Sequence, residues 1–200
     1  MDNRLEALYV LALATGLRQG ELLGLRWDDV DIEQGGLTVR YQLQRIPGVG
    51  LRLRELKTEQ SRRTLTLPVA ARDALRRHRA RQRQERLWAG SRWQDTSFIF
   101  TTPIGTPLDA DNLRREYVAL RDAAEMPPVR FHDLRHTFTS LLQGRGGKLL
   151  DISRVLGHSQ VSTTTNTYAH LFTERYAEIA DLMDDALTET VPTEDARTGT

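Results

Sequence analysis

The 200-residue sequence contains no cysteine, which excludes disulfide bonds, cysteine metal sites and cysteine nucleophiles. It has no run of about 20 apolar residues, the length that a membrane-spanning helix needs. Its first residues lack the basic-then-apolar layout of a secretion signal. With 39% hydrophobic and 28% charged residues the chain can form a buried core, so wholesale disorder is excluded. These features favour a cytoplasmic protein that makes no contact with a membrane.

Lysine is also scarce, because only Lys57 and Lys148 accompany 26 arginines. The net charge of +1 conceals an uneven distribution. Residues 40–92 hold fifteen Lys and Arg against four Asp and Glu, whereas residues 171–200 hold two against eight. The basic segment predicts a surface that binds a polyanion. A solvated, charged helix face is the alternative interpretation of the same segment.

Apolar spacing, capping residues and glycines predict a mainly helical chain. Predicted helices cover residues 3–15, 21–25, 68–87, 109–124, 131–143, 149–156, 161–170 and 173–187. Asn3 and Glu6 form a plausible capping pair for the first of them. Alternating segments predict strands at 37–41, 51–54 and 63–67. The fold class is therefore mainly α with one small antiparallel three-stranded sheet (α+β), in a single domain over 1–187 that precedes a disordered tail over 188–200.

Two histidines lie one helical turn apart in the segment Phe131-His132-Asp133-Leu134-Arg135-His136-Thr137. Such a pair can bind zinc, but the zinc-protease motif needs Glu directly after the first histidine, where this chain has Asp133. Arg135 on the same face also repels a cation. We therefore predict no metal and no cofactor. Hydrogen-bonded interior histidines are the other interpretation of the pair.

Arg18 lies in the tight segment Thr15-Gly16-Leu17-Arg18-Gln19-Gly20-Glu21, which enters a predicted helix. The beginning of a helix offers backbone N–H groups and a positive dipole end, so this segment can bind an anion. An ion pair between Arg18 and Glu21 that only stabilises the fold is equally compatible with the sequence.

Four sequence blocks, taken in order, resemble the catalytic domain of tyrosine recombinases, the phage-type integrases. They are Gly16-Leu17-Arg18 with Glu21-Leu22 and the stretch 25–31, Lys57-Thr58 with Ser61-Arg62-Arg63, His132-Asp133-Leu134-Arg135-His136-Thr137, and Leu156-Gly157-His158-Ser159 followed by Tyr168. The last two blocks are the most specific. The resemblance covers about residues 3–180 and implies the fold of DNA breaking-rejoining enzymes.

The resemblance also implies a role for each matching residue. Tyr168 is the nucleophile, Arg18 and Arg135 bind the scissile phosphate, His132 assists proton transfer, Lys57 is the general acid, and His158 holds a phosphate oxygen. Glu21 and His136 match supporting positions, and Arg62 and Arg63 are candidate DNA contacts. An ordinary half-buried tyrosine is the alternative interpretation of Tyr168, because only its place after the Gly157-His158 block distinguishes it.

The implied function is that of a site-specific recombinase or integrase, which cleaves and rejoins DNA strands through a 3′-phosphotyrosine intermediate without metal or ATP. The implied partner is double-stranded DNA, bound by a homotetramer on two DNA sites, with monomers when DNA is absent and association with the nucleoid when DNA is bound. An accessory DNA-bending or directionality protein belongs to the same set of implied partners. Because the matching blocks begin by residue 18, we do not expect the separate N-terminal DNA-clamping domain of the family in this sequence, which is then either an excised fragment or a natural short form.

Two alternative functions remain open at this point. A non-catalytic DNA-binding module accounts for the basic segment and predicts salt-sensitive binding without any covalent product. A type IB topoisomerase shares the tyrosine chemistry and would relax supercoiled DNA without a specific site.

Overall fold

The computed structural model of this protein describes residues 3–57 and 61–157. The chain divides into two units, residues 1–159 and 160–200, and every described residue belongs to the first. The predicted helices over 161–170 and 173–187 and the predicted tail over 188–200 lie outside the described residues, as do His158 and Tyr168.

The described residues contain six α-helices. They are α1 (Glu6–Thr15), α2 (Gln19–Leu23), α3 (Val69–Ala89), α4 (Ala110–Ala123), α5 (Asp133–Gln143) and α6 (Leu149–Leu156). Short 3₁₀ turns occupy Trp27–Asp29 and Gly90–Arg92. Among the described residues, none of the helices is both long and apolar enough to cross a bilayer. Each of the six lies within a few residues of a predicted helix, as expected where apolar period and capping residues agree.

Helix α1 packs against both α3 and α5 and carries the centre of the core. Leu5, Leu8 and Leu11 recur at a helical spacing and are fully buried. Burial of each such leucine contributes roughly 1.5–3 kcal/mol. The helix ends at Gly16, which has a φ of 61°. A Cβ atom there would lie 2.5 Å from Cδ1 of Phe138, so only glycine allows α5 to approach the end of α1 this closely.

The strands form two separate antiparallel sheets. They are β1 (Val30–Asp31), β2 (Gly36–Val39), β3 (Tyr41–Ile46), β4 (Gly50–Glu55) and β5 (Arg63–Thr66). Strands β1, β2 and β5 form a three-stranded sheet in that order, while β3 and β4 form a two-stranded hairpin. The mainly helical class with small antiparallel sheets, as predicted, is confirmed.

The composition of the three-stranded sheet differs from the prediction. The segment 51–54 pairs with β3 in the hairpin, and Leu53 lies opposite Leu43. Its predicted place in the sheet is taken by β1, whose Val30 lies opposite Leu37. The exposed Arg40 separates β2 from β3, and its carbonyl oxygen accepts a hydrogen bond from the N–H of Leu56, which extends the pairing of β3 with β4 by one position and does not join the hairpin to the sheet. The hairpin is thereby independent of the sheet.

Candidate active site

Arg135 lies on the first turns of α5 with its side chain buried, at 5% exposure. Its Nη1 donates a hydrogen bond to the carbonyl oxygen of Gly16, and its Nη2 donates to that of Leu156 at 2.8 Å. One guanidinium therefore joins three places in the fold: the end of α1, the beginning of α5 and the end of α6. These are the elements that carry the first, third and fourth blocks of the sequence.

Arg18 precedes α2, in the position where the backbone changes from extended to helical. Its own N–H donates to Oε2 of Glu21 at 3.0 Å, and its Nη1 donates to Oε1 at 2.9 Å. The Glu21 side chain is 1% exposed, whereas that of Arg18 is 41% exposed. The ion pair predicted as the structural alternative is therefore present, yet the Arg18 guanidinium still reaches solvent.

Arg63 lies in β5, and its side chain is only 8% exposed. Its Nη2 lies 3.0 Å from Oε2 of Glu21, and its Nη1 donates to the carbonyl oxygen of Ser61 at 3.0 Å. Its Nε donates to the carbonyl oxygen of Val155 at 2.5 Å. The guanidinium predicted as a DNA contact is thus oriented towards protein acceptors in the interior.

The C-terminal end of α6 receives both buried guanidiniums. The carbonyl oxygens of Val155 and Leu156 accept hydrogen bonds from Arg63 and Arg135, respectively. The last carbonyls of a helix have no intrahelical partner and carry partial negative charge, which two cations compensate. Gly157 follows with a φ of 65°, and a Cβ atom there would lie 2.7 Å from Nη1 of Arg63.

Glu21 is held as a carboxylate between two arginines. Its burial alone raises the pKa of the carboxyl group, because desolvation penalises the charged form. The charge and hydrogen bonds of Arg63, together with the N–H group and charge of Arg18, outweigh this effect and bring the pKa below its ordinary value. The group of Arg18, Glu21 and Arg63 therefore carries one net positive charge at neutral pH.

His132 occupies the N-cap position of α5, where its ring makes no capping hydrogen bond; the residue is exposed, although neighbouring atoms cover part of the ring. Its ring lies 5.6 Å from that of His136, centroid to centroid, at an interplanar angle of 85°. Partial burial, followed by the charges of His136 and Arg135, lowers the pKa of His132. The imidazole is therefore neutral at physiological pH and able to accept a proton.

We expect an NMR titration of the free protein to give a pKa for His132 below the ordinary histidine value of about 6.5. The variant His132→Gln lacks the signal of this histidine and so identifies it in the spectrum. Because the charge of His136 lowers this pKa, His136→Gln is expected to raise it. A midpoint above 6.5 in the unmodified protein would contradict the electrostatic environment described above.

Lys57 is exposed and follows the buried Leu56, two residues beyond the end of β4. Arg62 is also exposed: its Nε donates to the carbonyl oxygen of Leu56 at 2.8 Å, and its Nη2 lies 3.2 Å from Oε1 of Glu55. Lys57 and Arg62 therefore both lie on the surface between β4 and β5, whereas Arg63 points inwards.

Two tyrosines belong to the core. Tyr9 and Tyr117 pack together with Phe131, with ring centroids 5.5–6.4 Å apart. Burial raises the pKa of Tyr9 to about 12, which disfavours its phenolate. Tyr41 lies in the hairpin, where the guanidinium of Arg40 is 5.9 Å from the centre of its ring. The described residues thus offer two core tyrosines and one hairpin tyrosine.

The basic segment over 40–92 is less positive at the surface than its sequence suggests. Six of its arginines pair with acids from other parts of the chain: Arg40 with Asp29, Arg45 with Asp109, Arg63 with Glu21, Arg76 with Glu33, Arg77 with Glu6 and Arg86 with Asp95. Arg52 and Arg54 are exposed and alternate with apolar residues along β4. The predicted polyanion-binding surface is therefore smaller than the segment.

Within residues 3–57 and 61–157, histidine, aspartate and glutamate side chains form no group of three or more that could hold a metal ion.

The family sequence model described as the phage integrase family matches residues 1–175 of this chain. The chain belongs to the phage integrase family. The match includes each of the four blocks from which the resemblance was inferred, and it extends to Tyr168.

Curated relatives agree with membership of the phage integrase family. A protein named tyrosine recombinase XerC-like, from Caldanaerobacter subterraneus, is 37% identical over 194 residues, which cover 92% of this chain and 50% of the relative. An integrase from Streptomyces ambofaciens is 39% identical over 175 residues, covering 82% of this chain and 44% of the relative. The chain therefore spans about half the length of the curated relatives it matches.

Solved structures of the phage integrase family share the fold. A structure of the Tn1549 transposon integrase in complex with circular intermediate DNA has a TM-score of 0.74 and 27% sequence identity, covering 90% of this chain and 60% of that one. A crystal structure of XerA recombinase has a TM-score of 0.64 and 25% identity, covering 88% of this chain and 59% of that one.

The sequence did not identify the contacts that hold these blocks together. The carbonyl acceptors at Gly16 and Leu156 have no sequence signature. The inward orientation of Arg63 did have one, because Arg63, Leu65 and Leu67 alternate along one strand and the two leucines are buried. Residues two apart in a strand share a face, so the arginine points to the same side.

Proposed function

We propose that this phage integrase family chain is the catalytic part of a site-specific DNA recombinase that breaks and rejoins DNA strands through a 3′-phosphotyrosine intermediate. The observation that supports this most is the position of Arg135, whose guanidinium contacts both the Gly16 carbonyl, two residues before Arg18, and the Leu156 carbonyl, two residues before His158. Double-stranded DNA is the proposed substrate, in line with the DNA complex of the Tn1549 integrase.

The arginines suit the charge of the reaction. A phosphodiester carries one negative charge, and attack by an oxygen nucleophile raises this to about two in the transition state. In our proposal Arg18 and Arg135 donate hydrogen bonds to the non-bridging oxygens, and His158 holds one of them. A guanidinium can donate two parallel hydrogen bonds to such oxygens, and it stays charged throughout the reaction.

The proton transfers follow from the remaining residues. Oη of Tyr168 attacks phosphorus while its proton passes to neutral His132, whose lowered pKa fits a proton acceptor. The bond between phosphorus and the 5′ oxygen breaks, and Lys57 donates a proton to that oxygen. The product is a phosphotyrosine diester, from which a second 5′-hydroxyl displaces Tyr168. Because one ester replaces another at each step, the scheme uses neither ATP nor a metal ion.

We further propose a homotetramer on two DNA sites, with monomers when DNA is absent. An accessory DNA-bending or directionality protein would set the direction of the reaction. Association with the nucleoid follows from DNA binding. Sedimentation of the chain with and without bound DNA duplex tests the proposed tetramer on DNA and the proposed monomer without it.

The first test is covalent capture from a DNA library. The full chain is incubated with nicked duplexes that carry about 30 randomised base pairs, and protein–DNA adducts that survive detergent are isolated and sequenced. We expect an enriched sequence, with the nucleotide mapped by mass spectrometry to Tyr168. Binding that weakens steeply with salt but yields no adduct would favour the non-catalytic module. Relaxation of supercoiled plasmid without a preferred site would favour the topoisomerase.

A further inference from the structure

We infer that Arg63 is a positioning residue, which fixes the Arg18 guanidinium and the end of α6 relative to each other through Glu21 and the Val155 carbonyl. This inference rests on the proposed function, because it assigns a role in the catalytic site to a buried arginine whose three guanidinium nitrogens all donate to protein acceptors. Arg63, which the sequence predicted to contact DNA, is thereby assigned a role inside the protein, in support of the proposed catalytic residues.

The contacts of Arg63 join its own sequence block to Glu21 in the first block and to Val155, the residue that directly precedes the fourth block. Its Nη2 donates to Oε2 of Glu21, the carboxylate that also receives the N–H and Nη1 of Arg18. Its Nη1 donates to Ser61, in the connection that follows Lys57, and its Nε donates to Val155. Movement of Arg63 would therefore disturb the surroundings of Arg18 and of the residues that precede His158.

Burial gives this arrangement its rigidity. The side chains of Glu21 and Arg63 are 1% and 8% exposed, so water cannot replace either partner at low cost. Gly157 leaves no space between α6 and the guanidinium, since a Cβ atom there would lie 2.7 Å from Nη1. Arg18 differs, because its guanidinium is partly exposed and has Glu21 as its anchor. The position of Arg63 therefore fixes the position of Glu21, and Glu21 in turn fixes the position of the Arg18 guanidinium.

The roles of positioning and DNA contact predict different kinetics for Arg63→Gln. A positioning residue affects the rate of cleavage at saturating DNA, whereas a phosphate contact affects affinity and reduces the salt slope of binding by about one. Arg63→Lys keeps the charge beside Glu21, but its single nitrogen cannot replace the fork that reaches Glu21, Ser61 and Val155 together. We expect this conservative variant to recover part of the rate.

The first experiment needs no activity. Hydrogen exchange is measured on the full chain for Arg63→Gln and for Arg114→Gln, the control, whose exposed side chain pairs with Asp111. We expect Arg63→Gln to speed exchange at residues 16–21 and 152–157 at least about tenfold relative to α3, and Arg114→Gln to change neither segment. Unchanged exchange at both segments in Arg63→Gln would overturn the inference, whether or not the chain cleaves DNA.

The second experiment uses the duplex recovered by covalent capture. Under single-turnover conditions at saturating DNA we expect Arg63→Gln to slow cleavage at least about tenfold, with DNA affinity and salt slope unchanged. The double variant Glu21→Gln, Arg63→Gln is expected to be no slower than the slower single variant, because both changes break one pair. A normal saturating rate with weaker binding and a smaller salt slope would make Arg63 a DNA contact and refute the inference.

A neutral scissile group separates positioning from general damage to the fold. A methylphosphonate at the scissile position carries no charge, so it gains less from the Arg18 guanidinium than a phosphate does. The rate deficit of Arg63→Gln should therefore shrink on this substrate, in parallel with that of Arg18→Lys. An equal deficit on both substrates would contradict action through Arg18. Absence of any adduct with the unmodified chain would instead count against the proposed function, and the exchange experiment would still decide the role of Arg63.

Discussion

Tyr168→Phe is expected to abolish the covalent protein–DNA adduct while DNA binding stays within about twofold of normal. The variant keeps the aromatic ring and loses only the oxygen that would bond to phosphorus, so no diester can form. Removal of a nucleophile lowers enzymatic rates by many orders of magnitude, and we expect a fall of at least about 10³-fold here. Detergent-resistant adduct on a nicked duplex measures the first quantity, and a mobility-shift titration measures the second.

Two tyrosines provide controls for this prediction. Tyr41→Phe changes the partly buried hairpin residue beside Arg40, and Tyr176→Phe changes a tyrosine eight residues beyond Tyr168. Both variants should form the adduct at a normal rate. If Tyr176→Phe lost the adduct and Tyr168→Phe kept it, the nucleophile would have to be reassigned to Tyr176.

Helices were largely predictable because their ends carry local signals. Helix α6 has the predicted bounds, since Gly157 supplies the left-handed residue that ends it. Helix α4 begins after Asp109, whose carboxylate accepts the N–H of Asp111 at 2.7 Å. Helix α1 begins three residues later than predicted, after a turn at residues 4–5. Oδ1 of Asn3 accepts the N–H of Leu5 in this turn, and Glu6 pairs with Arg77 instead of completing a capping box.

The pairing of strands was not predictable from the same kind of signal. Alternation of side chains identifies a strand but not its partner, and the segments 37–41 and 51–54 share one pattern. Strand β1 has only two residues, too few to display alternation. The surface charge of the basic segment over 40–92 was not predictable either, because the acids that pair with its arginines lie outside the segment.

For the candidate site, the sequence identified the blocks but not the contacts between them. Motif spacing is local, whereas the hydrogen bonds of Arg135 join residues 119 and 21 positions apart. The preference of Arg63 for the interior follows from strand alternation once Leu65 and Leu67 are known to be buried.

Arg135→Ala and Arg18→Ala are expected to slow cleavage alike but to differ in stability. Each removes a guanidinium proposed to stabilise the transition-state charge, a loss of on the order of 10²-fold or more in rate. Arg135 is buried, and its removal leaves the carbonyl oxygens of Gly16 and Leu156 without its hydrogen bonds, at about 1–3 kcal/mol for each group. Arg18 is partly exposed, and Glu21 keeps Arg63, so its ion pair contributes at most about 1 kcal/mol.

Urea unfolding and single-turnover cleavage of the captured duplex measure the two quantities separately. Arg135→Lys sharpens the comparison, because lysine keeps the charge but cannot donate to both carbonyls in the fixed geometry of a guanidinium. We expect this variant to lose stability and rate together, whereas Arg18→Lys should lose rate with normal stability. A normal cleavage rate in Arg135→Lys would mean that the buried arginine only ties α1 to α6, and the phosphate clamp would then have to be built from other residues.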